Sequence, residues 1–141
     1  MPTTPTSVTR RLSEVEGLAP GNGFAHAVAA TGQLAFVSGQ VAMDAQGEVV
    51  GAGDLAAQTT QALLNLQTVI RALGADWTEV LRLNWYVVDV AQLQALRDAR
   101  DEILRPVLGE LANPASSLIQ VAGLFRPEFL VEVDAVVALP Q

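Results

Sequence analysis

The chain contains no cysteine, no lysine and a single histidine, His26, among its 141 residues. The first absence excludes disulfides, thiolate nucleophiles and cysteine-ligated zinc or iron–sulfur centres. The second excludes Schiff-base chemistry and a phosphate-loop lysine, because all eight basic residues are arginine. One imidazole cannot build a multi-histidine site, so no metal is expected. Charge is scarce and one-sided, with 16% of residues charged and a net charge of −7. A non-specific nucleic-acid binder needs a basic footprint that this balance does not supply. Long hydrophobic runs are missing as well, and every apolar stretch is broken well short of the ~20 residues that span a bilayer. No nucleic-acid or membrane partner is expected. Residues 1–7 are polar, carry Pro2 and Pro5, and show no charged segment followed by an apolar one. They are expected to be flexible, and the chain to be cytoplasmic.

What is present is apolar: half of the residues, enough for a single domain over residues 1–141 with a real core. No linker or repeat divides the chain. Val8 to Glu16 reads as a strand, followed by a glycine- and proline-containing loop from Gly17 to Gly23. His26 to Ala30 and Leu34 to Ala42 read as strands around a turn at Thr31-Gly32-Gln33. Asp54 can cap a helix in which Ala62, Leu66, Val69, Ile70 and Leu73 recur at helical spacing, with Gly74 closing it. Val80 to Val88 is rich in β-branched and aromatic residues and reads as a strand. Asp89 can cap a second helix carrying Leu93, Leu96, Ile103 and Leu104, expected to stop before Pro106. Ser116 to Leu124 and Phe129 to Leu139 are the last two strands.

The final strand has one wholly apolar face, made of Phe129, Val131, Val133, Ala135, Val137 and Leu139. Its other face sets Glu132 and Asp134 among Leu130, Val136 and Ala138, too apolar a mixture for water. The order β-β-β-α-β-α-β-β supplies two helices, enough to cover one face of a sheet. A second copy of the chain is the economical cover for the other face, so a homo-oligomer with packed sheet faces is expected.

Three segments can carry chemistry. Ser38-Gly39-Gln40 inside a strand indicates a bulge or a close backbone approach. His26 has no identifiable partner and reads as structural or solvated rather than catalytic. Glu132, half-buried on its strand, tends toward a raised pKa and suits a general acid or base, unless it pairs with a strand neighbour such as Arg82.

Taken together, the segments resemble the RidA/YjgF family. The resemblance rests on Gly23-Phe24-Ala25-His26-Ala27-Val28, Phe36-Val37-Ser38-Gly39-Gln40-Val41, and Ala57-Gln58 with Asn65-Leu66. It continues through Ala72-Leu73-Gly74-Ala75 with Val80, Tyr86-Val87-Val88-Asp89, Asn113-Pro114-Ala115 and Val131-Glu132-Val133-Asp134-Ala135. It implies a chorismate-mutase-like α+β fold, a mixed six-stranded sheet with two helices on one face, assembled as a homotrimer. It further implies a small-molecule ligand in a cleft between subunits, no cofactor, and hydrolysis of reactive enamines and imines such as 2-aminoacrylate. By position, Glu132 becomes the catalytic residue that positions water, Phe24 the aromatic of the cleft, and Ser38 and Gly39 the backbone lining.

The position of the family's carboxylate-gripping arginine, directly after the Pro-Ala pair, holds Ser116. A hydroxyl has neither the charge nor the two-pronged donor geometry of a guanidinium. Losing that contact costs on the order of 2–5 kcal/mol in carboxylate binding. The expected substrate is therefore an enamine, imine or related metabolite other than 2-aminoacrylate, oriented by Ser116 or Ser117. Arg97 in the second helix and Arg126 in the turn before the last strand are candidates to restore the charge. The alternative is a non-catalytic trimer that binds a metabolite or a partner in the same cleft. A ribonuclease activity, attached in name to some relatives, is opposed by the acidic charge and by the lack of lysine and of a histidine pair.

Overall fold

The computed structural model describes residues 7–110 and 112–140. Its elements are β1 (Val8–Leu12), β2 (Ala27–Ala30), β3 (Leu34–Val41), α1 (Leu55–Ala72), β4 (Val80–Val87), α2 (Leu93–Leu108), β5 (Ala115–Gln120) and β6 (Val131–Ala138). The order is the one the hydrophobic periodicity indicates. Four strands form a mixed sheet in the order β3-β6-β4-β5, antiparallel except for the parallel β4–β5 pair. The remaining two, β1 and β2, pair only with each other. The six strands thus form two sheets rather than one. Among the described residues the β-bridge that links them is the parallel one from Ala25 to Ala115, in which the Ala25 amide donates to the Pro114 carbonyl at 2.9 Å.

Local chemistry accounts for most boundaries. Asp54 caps α1 by accepting from the Ala57 amide. Leu63, Leu66 and Ile70 then bury one face of α1 on the sheet, each worth roughly 1.5–3 kcal/mol. Leu96, Leu104 and Leu108 of α2 pack into the same core, against Leu83, Trp85 and Val87 of β4 and the apolar face of β6. Both helices therefore cover one face of the four-stranded sheet. β1 stops at Leu12 rather than Glu16 because its partner β2 has four residues to offer. β5 stops at Gln120 because β4, its one neighbour, ends at Val87.

Two helix expectations are corrected. Pro106 lies inside α2, which runs on to Leu108. Pro106 removes one backbone hydrogen bond near the helix end, and the burial of Leu104 and Leu108, four residues apart, outweighs that loss. Gly109 closes the helix at φ 60°, with its amide donating to the Arg105 carbonyl. Asp89 caps a short 3-10 turn, Val90–Gln92, by accepting from the Ala91 amide at 2.9 Å; α2 begins only after it.

Of the terminal stretch expected to be flexible, residues 1–6 lie outside the described residues. Ser7 is buried and donates through its Oγ to the Leu139 carbonyl at 2.6 Å. Among the described residues no helix is long and apolar enough to cross a membrane. The sheet face away from the helices exposes Leu34, Phe36 and Ile119, and Phe36 is 78% exposed.

Candidate functional site

Glu132 and Asp134 share the uncovered face of β6, beside Arg82, Asn84 and Tyr86 of β4; Glu132 is in register with Tyr86, and Asp134 with Asn84. Asp134 collects both neutral donors: Asn84 Nδ2 at 2.7 Å and Tyr86 Oη at 3.0 Å. Donating to a carboxylate raises the pKa of the Tyr86 hydroxyl. Arg82 is engaged elsewhere, donating through Nε to Asn84 Oδ1 at 2.8 Å and through Nη2 to Ser117 Oγ. The alternative pairing of Glu132 with Arg82 is thus not made. Among the described residues Glu132 has no hydrogen-bond or ion-pair partner. Its pKa is raised by partial burial and, secondarily, by the negative charge of Asp134.

Gly39 explains how the Glu132 carboxyl finds room. The β3–β6 register shifts between Val37 and Gln40, so Ser38 and Gly39 form the irregularity that glycine in a strand signals. A Cβ at Gly39 would stand 2.2 Å from Glu132 Oε2, so the carboxyl lies directly over bare backbone. Gly39→Ala is expected to cost about 1 kcal/mol in stability, because the added Cβ meets Glu132 from Oε2 back to Cγ at 2.9 Å and this one half-buried side chain has to turn aside. It also displaces the carboxyl, and a shift of about 1 Å costs on the order of 10²-fold in rate. Thermal denaturation and a rate measured on the same sample check both halves.

A second group of residues meets at the other edge of the sheet. Between β5 and α2 lies a pocket of about 120 Å³ to which Phe24, Arg97, Ser116 and Ser117 all contribute. Phe24 is brought there by the loop before β2, where its ring meets His26 edge-on at 5.5 Å. His26 Nε2 lies 2.9 Å from the Ala19 carbonyl, so the one histidine is engaged in holding this loop. Ser116 is opposite Leu83 in the β4–β5 register and therefore shares the helix-covered face. Asn113 and Pro114 set the start of β5: the Asn113 carbonyl accepts from Arg11 Nη1 at 2.8 Å and its Oδ1 from Arg105 Nη2.

The carried-over site residues thus fall into two groups. Phe24, Arg97, Ser116 and Ser117 are together, and so are Ser38, Gly39 and Glu132. Within one chain the groups are separated by β4 and by the sheet itself, since Glu132 and Ser116 project from opposite faces. Arg126 joins neither. Its Nη1 donates to the Gly47 carbonyl at 3.0 Å, and its guanidinium lies 6.0 and 5.7 Å from the ring centres of Phe125 and Phe129.

The residue that sequence reasoning missed is Arg100, which lines the same pocket as Ser116. Its signal was available: Arg100 falls midway between Leu96 and Leu104 at four-residue spacing, a charge set in the buried stripe of an amphipathic helix. Gln58 and Asn65, part of the family resemblance, are structural. Gln58 donates to the Gly51 and Glu128 carbonyls and accepts from the Leu130 amide, while Asn65 donates to the Val41 and Met43 carbonyls.

This architecture has known counterparts. The family model described as Endoribonuclease L-PSP matches residues 15–139. A RutC family protein of Synechocystis is 33% identical over 130 residues, covering 92% of this chain and 95% of that one. A solved structure from Yersinia pestis, a protein of unknown function of the conserved Rid family, has 40% identity and a TM-score of 0.81. That likeness covers 92% of this chain and 98% of that one. A Bos taurus protein named 2-iminobutanoate/2-iminopropanoate deaminase is 29% identical over 102 residues, 72% of this chain and 69% of its own. With a family model spanning nearly all of the fold and a Rid structure at this similarity, the chain belongs to the Rid/YjgF family.

Proposed function

We propose that this chain is a cytoplasmic homotrimer that hydrolyses a small imine or enamine without a cofactor, releasing ammonia and a carbonyl product. One observation carries the reading: Glu132, unpaired and with a raised pKa, is held over the bare backbone of Gly39. The name of the Bos taurus relative supports the reaction class. In the imine form, Glu132 takes a proton from water as the oxygen bonds to the C=N carbon, and the π pair moves to nitrogen. The nitrogen is protonated, the C–N bond breaks, and ammonia leaves as the carbonyl forms. An enamine enters the same sequence after a proton is added at carbon. Hydrolysis of this kind consumes only water.

The exposed apolar face, with Phe36 on its edge strand β3, supports the assembly. An assembly that sets the uncovered face of one subunit against the β5 edge of the next would bring the Glu132 of the first toward the β5–α2 pocket of the second. Ser116, which cannot pair with a carboxylate as an arginine does, supports a substrate that is not held by a charged grip from β5. The test is ammonia or keto-acid release from 2-iminobutanoate generated in the assay, followed over pH. The reading expects an acid limb in kcat/KM above the ordinary glutamate range, set by Glu132. A compound that binds and is recovered unaltered would instead establish the non-catalytic binder.

A further inference from the structure

Burying a guanidinium is unfavourable unless its donors find acceptors. Arg100 is 9% exposed. Its Nε donates to Asp101 Oδ1 at 2.9 Å, and the Asp101 side chain is itself 41% exposed, facing outward. The other end of the guanidinium points inward. Among the described residues Nη2 is buried with no hydrogen-bond partner. It packs against Gly23, where a Cβ would come within 2.4 Å of it. Gly23 also has φ 75°, a conformation that glycine adopts without strain. The loop that carries Phe24 into the pocket thus also leaves room for the arginine head.

The pocket that Arg100 lines has a definite chemistry. Arg97, one helical turn earlier, adds a second positive charge, and none of the lining residues is acidic, in a chain of net charge −7. Phe24, Trp85, Leu93 and Leu96 supply apolar walls. We infer that Arg100 of α2 supplies the guanidinium that Ser116 of β5 lacks, and that the pocket binds the carboxylate of a compact organic acid with an apolar body. A planar carboxylate matches the arginine fork, and Ser116, on the helix-covered face of β5, lines the same space. This assignment rests on the proposed function only in taking the pocket for the substrate's place. It narrows the substrate to imines and enamines that carry a carboxylate, gripped from the helix instead of the strand.

The probe is 2-oxobutanoate, titrated calorimetrically into the wild-type protein, with methyl 2-oxobutanoate and inorganic phosphate as comparisons. The expected result is binding of 2-oxobutanoate, weakened about 30-fold or more in Arg100→Gln, with neither comparison bound as tightly. Arg71→Gln, which removes an exposed charge from the end of α1, is expected to leave the affinity unchanged. Because a buried arginine can matter for folding, the wild-type protein labelled with 15N-arginine gives an independent reading. On addition of 2-oxobutanoate one buried guanidinium resonance, identified by its absence in Arg100→Lys, is expected to shift. Equal binding of the ester would overturn the carboxylate assignment, and equal binding of phosphate the organic one. An unshifted Arg100 signal would overturn the residue assignment, as would a loss of assembly in Arg100→Lys with unchanged affinity for the probe. Failure of the two proposals is separable. Arg100-dependent binding without turnover refutes only the hydrolase, whereas turnover with an unchanged KM in Arg100→Gln refutes only the arginine's role.

Discussion

Glu132→Gln is expected to slow imine hydrolysis by about 10²- to 10⁴-fold, the usual contribution of a positioned general base, while raising the melting temperature at pH 7. The two effects share a cause. Partial burial and the charge of Asp134 raise the pKa of Glu132 in the folded chain. The folded state therefore retains a proton at pH values where the unfolded chain, titrating near ~4.3, has lost it. In that window the unfolded state binds fewer protons, so stability falls as pH rises through it and stays lowered above it. Glutamine fills the same volume over Gly39 and cannot ionise, so it removes the loss. The melting temperatures of wild type and Glu132→Gln should converge below about pH 4 and separate toward neutrality. A neutral-pH melting temperature lower in Glu132→Gln would mean that the carboxylate has a stabilising partner.

The largest stability loss is expected at Gln58. Its side chain is fully buried in α1 and makes three hydrogen bonds to backbone. Nε2 donates to the carbonyls of Gly51 and Glu128, and Oε1 accepts from the Leu130 amide at 2.8 Å. Alanine leaves those backbone groups without their partner and opens a cavity, for a combined cost of about 2–4 kcal/mol. Gln94→Ala, an exposed glutamine bonded to Asp98 on α2, is expected to cost no more than about 0.5 kcal/mol. Urea unfolding at one fixed protein concentration distinguishes them. Because Leu130 immediately precedes β6, Gln58→Ala should also reduce the Glu132-dependent rate. An equal loss from both variants would mean that the buried bonds contribute no more than an exposed pair.

What was legible in the sequence was local or periodic. α1 was announced by a capping aspartate and an apolar stripe, both of which act within a few residues of where they are read. The core face of β6 followed from alternation, and the irregularity at Gly39 from a glycine placed where a strand does not favour one. The division of the strands into two sheets was not legible, because pairing between distant segments leaves no mark on either. The length of α2 was misjudged because a local rule about Pro106 was weighed without the burial of Leu104 and Leu108. The candidate site shows the same contrast. Gly39 and Glu132 were identified separately, and their contact required the β3–β6 register. Arg100 is not marked by the motif, which points to β5, nor by nearness to it, which points to Arg97 and Arg126. A charged residue in a buried helical stripe was the stronger signal.

Two half-sites on opposite faces of one sheet that become one site only between copies of the chain should be restored by mixing two defective variants. Glu132→Gln and Arg100→Gln, each strongly impaired alone at 2-iminobutanoate concentrations far below the wild-type KM, are unfolded together in equal amounts, refolded and assayed at that concentration. With one half-site taken from each of two neighbours in a ring, random mixing restores about a quarter of the wild-type rate. No recovery from a mixture shown by native mass spectrometry to contain mixed oligomers would contradict a site shared between copies.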